Sequence, residues 1–368
     1  PLELGSGSAV SYSEKYTGYI RNGGFKSTYS DGKEYIYGGY GSAAKYASDA
    51  AKTVTLLNDY TTGSSIKVNR SGTLDLNGKV ITYTESNQNN DSAAIEFGDS
   101  NISLTLKNGK INSSDHGIWV SYNGGPNLDN NTLVMDGITM TVTGQNDDGN
   151  GNLVDSYGIM TNGMMINQNI TIRNSTITSN GAGIYFPSAN STLRIENSSI
   201  TGTTGIAVKG GDVTIINSNI TGTLATKTNP TTPINSGFNE TGDAIYVEEG
   251  YTDRTVTVTI QGGSFVSVAN EAARILTSDT DSSKKDIEIE SGQFSSDVKE
   301  YIKQNYDQLV TKTGTTPYIV GQYTDTGAAS AMNSNVYKVT FTQQDGTTVD
   351  VYYLTQQEAQ EAIENAPE

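Results

Sequence analysis

The sequence predicts an all-β solenoid, in which short parallel strands are wound into stacked coils. An eight-residue pattern, apolar-x-apolar-x-(Asn/Gly/Ser)-x-x-(Ile/Phe/Met), recurs eight times, and a four-residue strand pattern precedes seven of the copies. Self-similarity of this kind indicates units that bury their apolar faces only against their neighbours. We call the eight-residue copies octads. They occupy residues 74–81, 104–111, 133–140, 170–177, 193–200, 213–220, 258–265 and 287–294.

The fifth octad position predicts a corner between two strands. Asn and Gly dominate there, and these residues tolerate the left-handed backbone conformation that a sharp bend requires. Stacked Asn side chains can also form hydrogen bonds from coil to coil. The residues at this position are Gly78, Asn108, Gly137, Asn174, Asn197, Asn217, Gly262 and Ser291.

The four-residue pattern, which we call the quartet, completes the coil. Each quartet alternates as a strand with one buried face does, and a third short strand follows each octad. One tight coil runs from 183 to 205, which is 22 residues. At roughly 3.3 Å per residue this gives a perimeter of about 70 Å, enough for three sides. The quartets begin at residues 94, 117, 158, 183, 205, 244 and 272.

The two ends of the chain have other patterns. Residues 1–52 form an N-terminal segment and cap, with a short helix at 41–52, and the solenoid covers 53–297. An amphipathic helix is predicted at 298–312, with Val298, Ile302 and Leu309 on one side. Residues 313–368 predict a β-hairpin about Asp345-Gly346 and then a helix. The phrase YYLTQQEAQEAIENAP at 352–367 is similar to the lead-in to a further unit.

Composition limits the partners. The chain has 40 acidic and 23 basic residues, a net charge of −17 and no cysteine. A negative surface disfavours nucleic acid and anionic membranes, and no apolar run is long enough for membrane insertion. We therefore expect neither nucleic acid nor a membrane as partner, and we expect a monomer.

The repeat resembles the right-handed parallel β-helix of the pectin-lyase-like superfamily over residues 53–297. The phrases TVTLLND (53–59), TLDLNGKVIT (73–82) and GQFSSDVKEYI (292–302) are similar to repeat units of secreted or cell-surface proteins of gut Gram-positive bacteria. The resemblance implies a right-handed, three-sided parallel β-helix of about 8–10 coils, with short helical caps, in an extracellular or cell-surface location. It implies no particular reaction, because one fold carries many functions.

The third residue of each quartet is predicted to point outward, so that these residues form one row. Exposed aromatic rings can stack on sugar rings, and in the enzymes that the chain resembles a polysaccharide lies along this sheet. The predicted partner is therefore a polysaccharide or a host or matrix surface glycan. The alternative is a cross-strand ladder that only adds stability. The candidate ligand-binding residues are Trp119, Tyr122, Met160, Tyr185 and Tyr246.

Long insertions precede strands of this sheet at 144–157 and 222–243, and a third, at 121–131, is predicted on the opposite edge. Loops on both edges would wall a groove, and loops often carry function. The first insertion partly matches an EF-hand loop, with Asn146, Asp148 and Asn150 at ligand positions 1, 3 and 5. Position 12 is a tyrosine, and Asp155 at position 10 replaces the expected glutamate poorly. Calcium is therefore a candidate ligand, while no cofactor is required. A plain Asn/Asp/Gly turn is the alternative.

Catalytic candidates are few: Glu96, Asp115 and His116. Glycoside hydrolases need paired carboxylates, and no Asp-Asp pair or Arg-x-Lys element accompanies these residues. The sequence therefore favours a non-catalytic, adhesin-like stalk or binding module. The alternative function is a calcium-assisted polysaccharide lyase or glycoside hydrolase with calcium at Asp147, Asp148 and Asp155, and a third is a spacer without a ligand.

Overall fold

The structure is a computed structural model, and most of it is β-strand. It describes residues 9–11, 20, 22–48, 52–84, 92–120, 128–147, 153–250, 254–278, 284–310, 315–321, 337–342, 348–353 and 355–364. The N-terminal elements are β1 (Ala9–Ser11), β2 (Phe25–Thr28), β3 (Glu34–Tyr37) and helix α1 (Tyr40–Tyr46). The following strands are β4 (Thr53–Leu56), β5 (Tyr60–Thr62), β6 (Ile66–Val68), β7 (Gly72–Asp75), β8 (Val80–Tyr83), β9 (Ala93–Phe97), β10 (Ser103–Ser113), β11 (His116–Trp119) and β12 (Thr132–Val142).

The central and C-terminal elements continue the same pattern. The central strands are β13 (Gln145–Asp147), β14 (Leu153–Asp155), β15 (Ile159–Met160), β16 (Asn169–Arg173), β17 (Thr176–Ser179), β18 (Ile184–Phe186), β19 (Thr192–Glu196), β20 (Ser199–Gly202), β21 (Ile206–Val208) and β22 (Gly211–Gly222). The last elements are β23 (Ile245–Glu248), β24 (Val256–Ser267), β25 (Ala273–Leu276), β26 (Lys285–Phe294), a 3₁₀ helix (Lys299–Tyr301), β27 (Asp307–Val310), β28 (Tyr318–Gly321), β29 (Tyr337–Thr342), β30 (Thr348–Tyr353) and helix α2 (Gln356–Glu364).

The octads pair in parallel, each with the octad of the next repeat, as predicted. From the second octad onward the first residues are in register, and their apolar side chains are buried together. The register partners are Leu104–Leu133, Leu133–Ile170, Ile170–Leu193, Leu193–Val213, Val213–Val258 and Val258–Ile287. The first octad differs, because Leu74 pairs with Leu106 while Ile81 pairs with Ile111. A turn at Asn77 and Gly78, both with positive φ, accommodates its two extra residues.

The quartets form a second parallel sheet, which we call the first sheet. Its eight strands are adjacent in chain order: β6, β9, β11, β15, β18, β21, β23 and β25. Seven of them are the predicted quartets. The eighth is the short strand Ile66–Val68, which precedes the first octad and was missed. The described chain is therefore all-β with parallel sheets.

The predicted left-handed corners are confirmed at seven of the eight octads. The residues at the fifth position have φ between 46° and 89° from Gly78 to Gly262. Ser291 is the exception, because its neighbour Gly292 takes the positive φ of 150° and the register with β24 shifts there. The hydrogen bonds at the corners differ from the expected Asn stack, since Asn174 Nδ2 donates to Asp136 Oδ1 at 2.9 Å.

We expect Asn197→Ala to lower the free energy of unfolding by about 1–2 kcal/mol, the cost of a left-handed conformation for an ordinary residue. Asn197 has φ 47°. Asn197→Gly is the matched control and should retain stability, because glycine adopts this conformation without a Cβ clash. Urea unfolding monitored by circular dichroism measures both variants. Equal losses for alanine and glycine would contradict this explanation of the corner.

Serine and asparagine side chains also connect the coils. Ser175, Ser198 and Ser218 follow the corner in three successive octads, and each hydroxyl accepts a hydrogen bond at 3.1 Å from a main-chain N–H of the preceding coil. Each also donates to the carbonyl two residues earlier. A second ladder, not predicted, joins Asn167 to Asn130 at 2.9 Å and Asn130 to Asn101 at 3.1 Å. Hydrogen bonds of this kind fix the register between coils.

The N-terminal end of the octad sheet is closed by antiparallel strands. β2 pairs with β4, and β3 pairs with both β1 and β2. Helix α1 confirms the predicted cap, although it is shorter, and its residues Tyr40 and Ala43 enter the core. At the C-terminus, β29 and β30 form the predicted hairpin, and α2 confirms the helix that follows. The hairpin turn lies outside the described residues.

The prediction of a helix at 298–312 is wrong. Residues Lys299–Tyr301 form a single 3₁₀ turn, and Asp307–Val310 is strand β27, antiparallel to β28. Val298 does enter the core, but Asn305 takes φ 73° and ends any helical path. β28 also pairs antiparallel with β26. Strands rather than a helix therefore close this end of the octad sheet.

Candidate functional site

The outward residues of the first sheet stack in one row, as predicted. Trp119 lies opposite both Glu96 and Met160, and Tyr185 lies opposite Met160. The row continues through Ala207 to Tyr246 and Arg274, and at its other end Lys67 faces Glu96. We call the members from Trp119 to Tyr246 the aromatic row. The fifth candidate, Tyr122, lies outside the described residues.

The expectation that this row is exposed is wrong. The exposed fractions are 1% for Trp119, 8% for Met160, 9% for Tyr185 and 0% for Tyr246. The 222–243 insertion covers it: Tyr185 Oη donates to the Gly237 carbonyl at 3.1 Å, and Phe238 lies 5.4 Å from Tyr185 between ring centroids. Tyr157 packs against both rings, at 5.6 and 5.8 Å. The row is therefore an internal layer, which Phe238 of the insertion and Tyr157 cover at Tyr185 and which His116 contacts at Trp119.

The carboxylate of Glu96 is buried and supports the local backbone. It accepts hydrogen bonds from Ser65 Oγ at 2.6 Å and from the Ala93 N–H at 3.0 Å. It also forms an ion pair with Lys67. These contacts join two adjacent coils, which is a structural role.

Asp115 also has a structural role. One carboxylate oxygen accepts from the Ser92 N–H at 3.0 Å and from Ser92 Oγ at 2.6 Å. The other accepts from the His116 N–H at 2.6 Å and from Ser156 Oγ at 3.3 Å. The buried Asp115 therefore joins loops of three successive coils. A general acid or base needs a proton exposed to a substrate, and this geometry aims the carboxylate at the protein's own donors.

His116 is buried beside the aromatic row. Its Nδ1 accepts a hydrogen bond from the Tyr157 N–H at 2.8 Å. Its ring lies 5.2 Å from the Tyr157 ring and edge-on to Trp119 at 6.0 Å. The imidazole fixes the end of the 144–157 insertion against the sheet.

The predicted calcium loop is a β-hairpin where it is described. The Gln145–Asp147 and Leu153–Asp155 strands pair antiparallel, so that the Asn146 backbone faces Val154. Asp155 Oδ1 accepts hydrogen bonds from Gln145 Nε2 at 2.8 Å and Asn180 Nδ2 at 3.0 Å. Asp148 and Asn150 lie outside the described residues. Calcium binding here stays a prediction.

Sequence reasoning missed the polar groups under the 222–243 insertion. Lys209 and Glu248 each follow the last strand residue of a quartet, and they are buried side by side with Nζ 3.8 Å from Oε2. Lys209 Nζ donates to the carbonyls of Ile234 and Gly237. Glu248 accepts from the Ile234 N–H at 2.9 Å. The sequence does contain a sign of this pair, because GIAVK (205–209) and AIYVE (244–248) each have a charged residue directly after the quartet.

Comparisons of the chain with protein-family models, with curated proteins and with solved structures found no match. Among the described residues, no helix has the length and apolar character to cross a bilayer. The same residues contain no cluster of three or more His, Cys, Asp or Glu placed to hold a metal ion.

Proposed function

We propose that the chain is a right-handed, three-sided parallel β-helix that serves as a secreted or surface-displayed, non-catalytic stalk and binding module of a bacterium. The observation that carries this proposal is the parallel first sheet, whose eight strands follow one another in chain order. At about 4.8 Å per strand, such a stack is roughly 40 Å long. Rods of this kind hold a binding surface away from an anchor.

The polar groups of the catalytic candidates support the non-catalytic part of the proposal. Glu96, Asp115 and His116 accept hydrogen bonds from main-chain N–H groups, and all three are buried. Their lone pairs are thereby used to hold coils together. The net charge of −17 favours a neutral over an anionic glycan as partner, because like charges repel.

A glycan-binding site at the edge of the aromatic row is favoured by one observation. Tyr157 and Phe238 are only half-buried and lie 5.8 Å apart between centroids, tilted by 49°. They are the rim of the layer whose interior is Trp119 and Tyr185. Partly exposed rings offer the apolar faces on which sugar rings stack.

The test is native electrophoresis through gels that each contain one neutral polysaccharide, with calcium or with a chelator. We expect retardation by at least one polymer that keeps its length, and loss of retardation in Phe238→Ala and Tyr157→Ala. Tyr46→Ala, which removes an exposed ring at the N-terminal end, is the control and should bind normally. Retardation unchanged in both rim variants would contradict the site. A shortened polymer would contradict the non-catalytic function.

A further inference from the structure

Three polar side chains meet where the 222–243 insertion covers the end of the first sheet: the buried Lys209 and Glu248, and the half-buried Asn239 of the insertion itself. Lys209 and Glu248 follow Val208 and Val247, which are register partners on adjacent strands. Their exposed fractions are 1% and 0%. Ionised groups are rarely buried so completely unless they are paired. Burial lowers the pKa of the Lys209 ammonium below its ordinary value, although Glu248 opposes this shift.

Asn239 donates two hydrogen bonds to the same carboxylate. Its main-chain N–H donates to Glu248 Oε2 at 2.8 Å, and its side-chain Nδ2 donates to Oε1. Lys209 Nζ lies 3.8 Å from Oε2. The two oxygens of one carboxyl group therefore stand between a primary amine and a primary amide. An amine, a carboxamide and a proton carrier are the groups that an amide exchange requires.

We propose that Lys209 and Asn239 become joined by an intramolecular isopeptide bond, with Glu248 as the proton carrier. The bond would link the end of β21 covalently to the 222–243 insertion. It would hold that insertion closed over Tyr185 and the rest of the aromatic row. This is a covalent modification of the chain and does not depend on whether the protein binds a glycan.

The reaction balances without a co-reactant. The uncharged Lys209 amine attacks Cγ of Asn239, and a bond forms between Nζ and Cγ. Glu248 takes a proton from Nζ through Oε2 and delivers a proton to Nδ2 through Oε1. The bond between Cγ and Nδ2 then breaks, and ammonia leaves. No oxidation or reduction occurs, and the carboxyl group returns to its starting state.

The environment favours each step. Desolvation favours the uncharged form of an amine and thereby makes it a nucleophile. A buried acid beside both nitrogens, with Nδ2 hydrogen-bonded to Oε1 and Nζ 3.8 Å from Oε2, transfers protons with little solvent reorganisation once Nζ closes that gap. Asn239 is held in place, because its Nδ2 also donates to the Thr232 carbonyl at 3.0 Å. The alternative is an ordinary ion-pair clamp, in which the same three side chains contact one another without a covalent bond.

Mass spectrometry of the denatured, purified chain distinguishes the isopeptide bond from the ion-pair clamp. We expect a mass lower than the sequence mass by one ammonia molecule. Trypsin should fail to cut after Lys209, and the fragments 195–227 and 228–254 should appear as one branched peptide. Asn239→Asp should give the same branched peptide with loss of water. Lys227→Arg, which changes an exposed lysine of the same insertion, is the control and should remain cross-linked.

Three variants should have the full sequence mass and normal cleavage: Lys209→Arg, Asn239→Ala and Glu248→Gln. The Glu248→Gln result is specific to the proton carrier, because the lysine and asparagine are still present. The wild-type chain alone tests whether the isopeptide bond forms, even if a variant fails to fold. The proposal is overturned if folded wild-type protein, after long incubation at neutral pH, yields no branched peptide. Ammonia loss without that peptide would indicate succinimide formation at an Asn-Gly pair and would count against it as well.

Discussion

Replacing Asp115 by alanine is expected to lower the free energy of unfolding by about 3 kcal/mol or more, since each hydrogen bond to a charged group contributes about 1.5–3 kcal/mol. The variant loses the acceptor for Ser92, His116 and Ser156 and leaves buried donors without it. The loss should be visible as a lower urea midpoint with an unchanged m-value. The His116 N–H keeps a second acceptor, the Ser92 carbonyl at 3.2 Å, so most of the loss should come from the two hydrogen bonds that Ser92 donates to Asp115.

Asp99→Ala is the matched control for Asp115→Ala. Asp99 is exposed and follows β9, at the opposite end of that strand from Ser92, so its replacement should change stability by no more than about 0.5 kcal/mol. If both variants unfolded at the same urea concentration, the structural role of Asp115 would be wrong. Its carboxylate would then become a serious catalytic candidate, and the enzyme hypothesis would regain support.

Gly183→Ala is expected to cost about 1–3 kcal/mol or more, the range for overpacking a closely packed interior. A Cβ on Gly183 would lie 2.6 Å from the Gly205 carbonyl oxygen and 2.5 Å from Cγ2 of Ile200. The oxygen belongs to the backbone of the next coil and cannot move without disturbing the parallel sheet. The same close approach exists at Gly158 and Gly205, which explains why glycine begins these quartets.

Gly41→Ala provides the contrasting control. Gly41 lies in helix α1, and no atom lies within 4 Å of the position that its Cβ would take. Alanine should therefore stabilise the chain by up to about 1 kcal/mol through its better helix propensity. Thermal and urea unfolding compare the two variants. A neutral Gly183→Ala would mean that neighbouring coils can separate locally, contrary to the tight stack described above.

The fold could be read largely from periodicity. The octads recur eight times and the quartets seven times, and both form the predicted strands. Seven left-handed corners are confirmed. A pattern that recurs this often predicts well, because each copy lies in the same kind of environment. The helix predicted at 298–312, which the structure contradicts, rested on a pattern that occurs only once. Val298, Ile302 and Leu309 match a helical spacing, but pairing with β28 favoured an extended backbone. Tertiary contacts overrode a single amphipathic pattern there.

The site was only half predictable. Strand alternation placed Trp119, Met160 and Tyr185 in one row, and the register confirms it. The burial of Tyr185 depends on how the 222–243 insertion folds, and that segment has no repeated pattern from which its path could be predicted. Phe238 is an apolar residue in a largely polar stretch, yet its ring packs on Tyr185. Contacts between a loop and a distant strand leave no pattern in a single sequence.

The antiparallel strands at the two ends of the octad sheet determine how copies of this unit could combine. A bare parallel stack has edges that accept any strand of the same kind, and it could grow into a fibre. Here β2 on β4 and β28 on β26 reverse the chain direction at each end. Units placed in tandem would therefore not continue one another's parallel octad sheet. The reach of such an array would depend on its linkers as much as on the number of its coils.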